Sequence, residues 1–495
     1  MTHRARGAAG PRLRARDWFG GVLVAACVVV TVTGCAPTVM TGRAASMMYD
    51  PDRVGGLPAT HGFSGLRPDA PAPAGRVHGT DGGDNDRVAL LAINDIQDFW
   101  TTTYPEFFPG QYQPVSRLRS YDSTNPLSLV VCGRSVTPGD ANAAYCRRDD
   151  SVSWDRGSFI PNARKYFGDI AVPGVLAHEL GHAVQTKAHL VKLLAGTLVR
   201  EQQADCFAGV YLRWVAQGHS PRFAMNTTDG LDHVLAGGIT LRDPADDPVN
   251  DPDAHGSALD RVGAFQEGFD GDPASCAAID SKEIASRRSG LPKGLLFYPP
   301  ADSQPGELPI DDGSLGLLME TLTQVFHPDN APVLTVGGSE GCADARPSPP
   351  ASYCPATNTI NIDLPELKRM GTYTDEQSRQ LLQGDDTAYS VVTSRYMLAL
   401  QHQHGFSLTG EHAALRTACL TGVAQRAMSE PVALPSGNTM VLTAGDLDEA
   451  ISGLLTNHLV ASDVNGDTVP AGFTRIFAFR TGLITDADQC YQRFA

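Results

Sequence analysis

The chain has 495 residues, 42% hydrophobic and 19% charged, a globular composition at a length that exceeds one ordinary core and predicts two domains. Its formal net charge of -16 excludes nucleic acid as a direct partner, because phosphate binding needs a basic face. No acidic block is long enough to read as a tail, so the acidity is spread over the surface.

Arg4, Arg6, Arg12, Arg14 and Arg16 precede an apolar stretch, Val22 to Val32, that is too short to span a bilayer comfortably. The stretch ends in Val32-Thr33-Gly34-Cys35, which resembles a bacterial lipobox, whose cysteine is acylated and becomes the mature N-terminus. Residues 1–35 therefore read as a lipoprotein signal peptide, with lipidated Cys35 holding the protein at the outer face of the cell membrane. A simple secretory signal or an uncleaved anchor is the alternative, and either one exports the body.

Residues 36–87, rich in Pro, Gly, Asp and Ala, show no hydrophobic period and read as a flexible tether. From Val88 to Phe108 apolar residues recur at helical intervals, with Leu90, Leu91, Ile93, Ile96 and Trp100 on one face. Ser128 to Cys132 and Ser151 to Trp154 read as short strands, the latter near enough to an edge to pair with an extended peptide.

Ala171 to Gln185 carries His178, Glu179 and His182 as H-E-x-x-H on a helix, which sets two histidines one turn apart on one face, as a pair of zinc ligands requires. A second helix, Leu198 to Val215, carries Glu201 and Asp205 one turn apart. Asp243 to Asp253 is an acidic, proline-rich loop, and His255-Gly256-Ser257 opens a helix that runs through Arg261 and Phe265 to Gly268. Prolines punctuate Pro292 to Pro309, which marks a boundary between two halves.

The second half repeats the first. Arg261, Ala264, Phe265, Gly268 and Cys276 recur with identical spacing as Arg475, Ala478, Phe479, Gly482 and Cys490. Tyr145, Cys146 and Asp155 recur as Tyr353, Cys354 and Asp363, and Cys206, Gly209 and Arg213 as Cys419, Gly422 and Arg426. Aligned on this repeat, Ser394, Arg395 and Leu398 stand where the first half has His178, Glu179 and His182; Ala414 and Ala418 replace Glu201 and Asp205, and Val469 replaces His255. The fold class expected is thus α+β, a duplicated domain whose second copy is degenerate: residues 88–278 active, 279–311 a linker, 312–495 without metal ligands. The repeat also orders the cysteines, giving Cys132 with Cys146, Cys206 with Cys276, Cys342 with Cys354, and Cys419 with Cys490, against the alternative that Cys206 and Cys419 are buried free thiols.

A catalytic zinc site takes three protein ligands and keeps one position for water. Glu201, Asp205 and His189 are candidates for the third; Gln185 and Ala188 rule out the metzincin pattern, and Glu201 in E-x-x-x-D is the better choice, with Asp205 fixing a ligand histidine's tautomer. Together AHELGHAVQ, EQQADCFAG, the AYC hairpin and HGSALDRVGAFQEGF resemble the bacterial putative neutral zinc metallopeptidase family, in an actinobacterial lipoprotein form, over roughly Val88 to Cys276. That resemblance implies a gluzincin-like fold, one Zn2+ per chain on His178, His182 and Glu201, cleavage of protein or peptide substrates, and Glu179 as the catalytic base. His255 belongs to a motif shared with the family and is assigned oxyanion stabilisation. The competing expectation is a non-catalytic envelope lipoprotein, a binding platform with a structural zinc. A duplication also allows the halves to pack as an intramolecular pseudo-dimer.

Overall fold

The computed structural model describes residues 39–40, 43–44, 49–50, 52–125, 130–191, 196–243, 255–291, 307–337, 341–374 and 381–495. Met1–Ala45 and Ser46–Ala495 are separate units. Of the first, the described part is the antiparallel pair Val39–Met40 with Arg43–Ala44; Cys35 and the expected signal peptide lie outside the described residues. Among the described residues no helix is long and apolar enough to cross a membrane.

The first helix of the second unit, α1 (Asp84–Phe107), buries Leu90, Leu91, Ile93, Ile96 and Trp100. A four-stranded sheet follows, in the order Ala143–Cys146, Ser151–Asp155, Arg117–Tyr121 and Val77–His78. The first two strands form an antiparallel hairpin and the rest run parallel. Two expectations change here. Ser151–Asp155 is an inner strand, hydrogen-bonded on both sides and buried throughout, so the edge belongs to Ala143–Cys146. The strand expected at Ser128 to Cys132 is, in its described part, a two-residue pairing of Val130–Val131 with Arg134–Ser135.

Asp155 then closes the sheet onto the helices, its carboxylate accepting from the backbone N–H of Ser158 and Phe159 at the start of α2 (Phe159–Phe167). Next come α3 (Ala171–Lys187), α4 (Thr197–Ala216), α5 (Asp229–Ile239), α6 (Ala258–Asp270), α7 (Pro273–Ala278) and α8 (Ser281–Arg287). The expected opening of α6 at His255 moves to Ala258, because the Ser257 hydroxyl and Asp260 carboxylate form a capping box there. α4 and α6 cross at contact distance: a Cβ at Gly209 would lie 2.2 Å from the Phe265 carbonyl oxygen, and one at Gly268 would lie 1.8 Å from that of Cys206. These glycines are the only residue type the crossing admits.

The expected tether is instead bound to the body from residue 52 onward. Gly65–Leu66 pairs with Phe223–Ala224, Val77–His78 joins the sheet, and Thr60, Ser64 and Arg67 bond to Thr227, Asn226 and the Ser220 and Phe223 carbonyls. Backbone pairing needs no hydrophobic period, which is why this segment looked unstructured. The expected linker is corrected in the same way at its start, since α8 buries Ile284, and Arg288 binds Asp260 of α6. Residues 292–306 lie outside the described residues.

In the second half the described elements follow the same order. α9 (Asp312–Phe326) leads to a sheet in the order Val333–Val336, Thr359–Ile362 and Ala351–Cys354, again a parallel pair plus an antiparallel hairpin. Asp363 caps α10 (Leu364–Met370), as Asp155 does α2. α11 (Asp385–Gln403), α12 (Glu411–Ala427), α13 (Ala444–Thr456), α14 (Gly472–Ile484) and α15 (Ala487–Arg493) complete the chain. The glycine crossing recurs, with a Cβ at Gly422 2.1 Å from the Phe479 oxygen and one at Gly482 1.8 Å from that of Cys419. Disulfides join Cys132 to Cys146, Cys206 to Cys276, Cys342 to Cys354 and Cys419 to Cys490. The two long-range bridges, spanning 70 and 71 residues, each staple a crossing pair of helices to the short helix that follows. In the chain-entropy picture a loop of that size contributes about 4 kcal/mol.

Candidate metal centre

α3 is apolar around most of its circumference and is buried accordingly; Pro173 sits in its first turn, where no intrahelical N–H bond is lost. Gly181 lies against α4, where a Cβ would be 3.0 Å from the Ala204 Cα. That close approach brings Glu201 and Asp205, which flank Ala204, up to the histidines of α3.

His178 Nε2 and His182 Nε2 converge on one oxygen, Glu201 Oε2, at 3.2 and 3.3 Å. Their other ring nitrogens are held from behind. His178 Nδ1 meets Asp205 Oδ1 at 2.7 Å, and His182 Nδ1 meets Gln185 Oε1 at 3.0 Å. Gln185 is itself fixed, its amide donating to the Arg200 carbonyl at 2.6 Å and to Gln203 at 3.2 Å. Asp205 receives Arg261 from α6 through Nε at 3.1 Å and Nη2 at 2.8 Å, while Arg261 Nη1 donates to the Leu241 carbonyl. Both Nδ1 atoms face acceptors and so carry hydrogen, which makes Nε2 of each ring the nitrogen that would meet a cation.

The donor set fits zinc. Two ligands about 2.05 Å from a tetrahedral ion are about 3.3 Å apart, the separation found here between each Nε2 and Glu201 Oε2. One ligand atom each of His178, His182 and Glu201 lies within 4.8 Å of the other two, so the group could hold a metal ion. The surrounding carboxylates favour positive charge at this place, whether a proton or a cation. Burial disfavours the charged form of His178, but the Asp205 and Glu201 carboxylates outweigh it and hold the ring up at about 10. Burial also opposes ionisation of Glu201, and His182 and His178 outweigh it, holding the carboxyl well below the usual range. Asp205 is lowered despite its burial, by Arg261 and then His178.

Glu179 stands beside this group and accepts a hydrogen bond from the Tyr145 backbone N–H, 2.8 Å from its Oε2. Tyr145 belongs to the sheet's edge strand, so the outer face of that strand borders the site. A cleft is lined by His178, Glu179, Asn142, Val234, Leu241 and His255. His255 is half exposed at its rim, with Nδ1 3.4 Å from Asp243 Oδ1 and its backbone N–H donating to the same carboxylate. His189 is not in the ligand group; it follows the end of α3 in the left-handed region, with φ at 54°. Sequence reasoning missed the parts played by Arg261, Gln185 and the Tyr145 N–H. The first two carried a signal, since both have counterparts in the repeat; the backbone group carried none.

At the corresponding place in the second half, Ser394, Arg395 and Leu398 are wholly buried on α11. The Arg395 guanidinium donates to the Leu459 carbonyl at 3.2 Å and to Ser462 Oγ at 2.9 Å. Gln401 retains its bracing position through Arg416 and Thr417 of α12, as Gln185 does through α4.

Residues 80–279 match the family described as "Putative neutral zinc metallopeptidase". Two curated relatives, each named uncharacterized protein YpfJ, come from Escherichia coli K12 and an Escherichia coli O6:H1 strain. Each is 32% identical over 159 residues, covering 27% of this chain and 52% of the relative. The chain therefore spans about half the length of the curated relatives it matches. No solved structure matches it.

Proposed function

We propose, taking the family match over residues 80–279 as the premise, that this protein is a zinc metalloendopeptidase with His178, His182 and Glu201 as metal ligands and Glu179 as general base. The observation that carries the reading is the convergence of two braced Nε2 atoms and one carboxylate oxygen beside a second carboxylate that has no place in the ligand set. Zinc bound there supplies Lewis acidity toward the scissile carbonyl and lowers the pKa of water toward about 7. Glu179 accepts the proton of the attacking water and returns it to the leaving amine, with the Tyr145 N–H holding the carboxylate in place between steps. Asp205 and Arg261 keep His178 aimed. The outer edge of Ala143–Cys146 offers backbone groups to an extended peptide, and His255 at the rim donates to the developing oxyanion.

The body is carried outside the cytoplasm on lipidated Cys35, a placement that suits four disulfides. Replacing Cys35 with serine shifts the protein from the detergent to the aqueous phase on partition; unchanged partition excludes the anchor. The halves are read as a duplication packed as a pseudo-dimer. In support, Asp232 of α5 accepts from the Gly472 N–H that opens α14, and Asp448 of α13 accepts reciprocally from the Ala258 N–H that opens α6.

Metal analysis joined to peptide-library cleavage tests the reading. His178→Ala loses zinc, whereas Glu179→Gln keeps zinc and loses about 10²–10⁴-fold in cleavage rate. Equal cleavage by Glu179→Gln sinks the mechanism. Zinc in the wild type with no peptide cleaved favours the alternative, an envelope binding platform with a structural metal.

A further inference from the structure

Far along the chain from the zinc ligands, five carboxylates crowd the N-terminal ends of α11 and α13: Glu307, Asp385, Asp386, Asp446 and Glu449. Asp385, Asp386, Asp446 and Glu449 are 3%, 1%, 6% and 2% exposed. Glu307, Asp385 and Glu449 each place a carboxylate oxygen within 4.8 Å of the other two. Some of this is capping: Glu449 Oε2 accepts from the Asp386 N–H, Glu307 Oε2 from the Asp385 N–H, and Asp385 Oδ2 from the Leu308 N–H. These bonds use one oxygen each of Glu307, Asp385 and Glu449, whereas Asp446 accepts from Thr443 through both of its oxygens.

Two buried oxygens there have no partner. Asp385 Oδ1 is one; the other is Oε1 of the fully buried Gln425, whose Nε2 donates to both oxygens of Asp386. The neighbouring charges that act on Asp385, Asp386, Asp446 and Glu449 are those of other acids. Two helix N-termini supply only about half a positive charge each, far short of five carboxylates. Burial, then repulsion from neighbouring acids, pushes Asp385, Asp386 and Glu449 upward, so the group requires either shared protons or a cation. Asp386 and Gln425 stand where the first half has Ile170 and Leu212, both buried apolar side chains, whereas Asp385 keeps an acid, Asp169, at its counterpart.

We propose that Glu307, Asp385 and Glu449 hold a hard divalent cation of the calcium class, with Asp386 and Asp446 adding negative charge around it. The donors are all oxygen, with neither nitrogen nor sulfur, which suits calcium and disfavours a second zinc. The cation ties the segment before α9 to the starts of α11 and α13, and so acts on the half that lacks the zinc ligands.

Zinc-loaded protein in chelator-treated buffer is titrated calorimetrically with CaCl2, and metal per chain is counted after gel filtration. The expected result is one calcium per chain in the wild type and equally in His178→Ala, with affinity falling at least ~10-fold in Asp385→Asn and in Glu449→Gln. No calcium uptake by the folded wild type overturns the proposal, and thermal unfolding then reveals shared protons as greater stability at acid than at alkaline pH. Uptake that Asp385→Asn leaves unchanged also overturns it, because the calcium then sits elsewhere. The wild-type count decides the matter even where a variant fails to fold.

Discussion

Asp205 holds His178 Nδ1, so that Nε2 is the ring nitrogen turned toward Glu201, and Arg261 holds Asp205. Asp205→Asn keeps the shape but loses the charge that stabilises the Nδ1–H, so zinc affinity is expected to fall about 10–100-fold, read by competition with a chromogenic chelator. Unchanged affinity would make Asp205 a packing residue only. The raised pKa of His178 gives a second expectation. In zinc-free protein the ring keeps both protons up to about pH 10, so zinc competes with a proton and its affinity weakens as pH falls and strengthens as pH rises toward about 10. The same shift means that the His178–Asp205 pair stabilises the zinc-free fold fully below the unfolded value of about 6.5 and loses that contribution as pH rises through about 10. Calorimetry at neutral pH in two buffers of different ionisation heat should register proton release on zinc binding; identical heats would refute it. At this scale the grouping of His178, His182 and Glu201 was legible, because side-chain chemistry at fixed helical spacing is written in the sequence. The Tyr145 N–H was not, because a backbone donor has no letter of its own.

The crossing of α4 and α6 couples packing to the metal site, since Arg261 rides on α6 and Asp205 on α4. A methyl at Gly268 would lie 1.8 Å from the Cys206 oxygen, a backbone atom that cannot swing aside, so the helices must separate. Gly268→Ala is expected to cost about 1–3 kcal/mol and to draw Arg261 away from Asp205, lowering both Tm and zinc affinity. Gly482→Ala meets the same obstacle at the Cys419 oxygen, also 1.8 Å away, and should lower Tm while leaving zinc affinity intact. Equal loss of zinc affinity in both variants would refute this division. The glycine pairs and disulfides were legible as a repeat because contact distance and covalent bonding each dictate a residue type at a fixed position. The sheet edge was misread for a physical reason: in Ser151–Asp155 polar and apolar residues alternate as in a half-exposed strand, yet all five are buried. The Ser151 and Ser153 hydroxyls find partners in Asp149 and the Ala144 carbonyl. Hydrogen bonding, not solvent, satisfies the polar positions.

Across the whole molecule, the second half contacts the first at the rim of its cleft. Asp448 of α13 accepts from the Ala258 N–H that starts α6, at 2.9 Å, and pairs with Arg242 at 3.3 Å. Arg242 precedes Asp243, whose carboxylate holds His255 at the cleft's edge. The reciprocal contact, Asp232 to Gly472 and Arg475, lies on the other half's helix and leads to no ligand. Arg475 is the counterpart of Arg261; with Ala418 in place of Asp205, its guanidinium turns to Asp232 across the interface. Arg261 thus braces Asp205 within its own half, whereas Arg475 makes an interface contact. The two aspartates therefore have different expected roles despite equivalent positions. Asp448→Asn should cost about 1–3 kcal/mol and reduce kcat/KM on the order of 10-fold, with zinc content unchanged, because the α6 start and the His255 rim shift together. Asp232→Asn should destabilise by a similar amount, since it leaves Arg475 with carbonyl partners alone, while kcat/KM per folded, zinc-loaded molecule stays at the wild-type value. Thermal unfolding and zinc content measured beside steady-state kinetics separate these outcomes, and a matched loss of kcat/KM in both variants would show that the interface acts on the cleft only through overall stability.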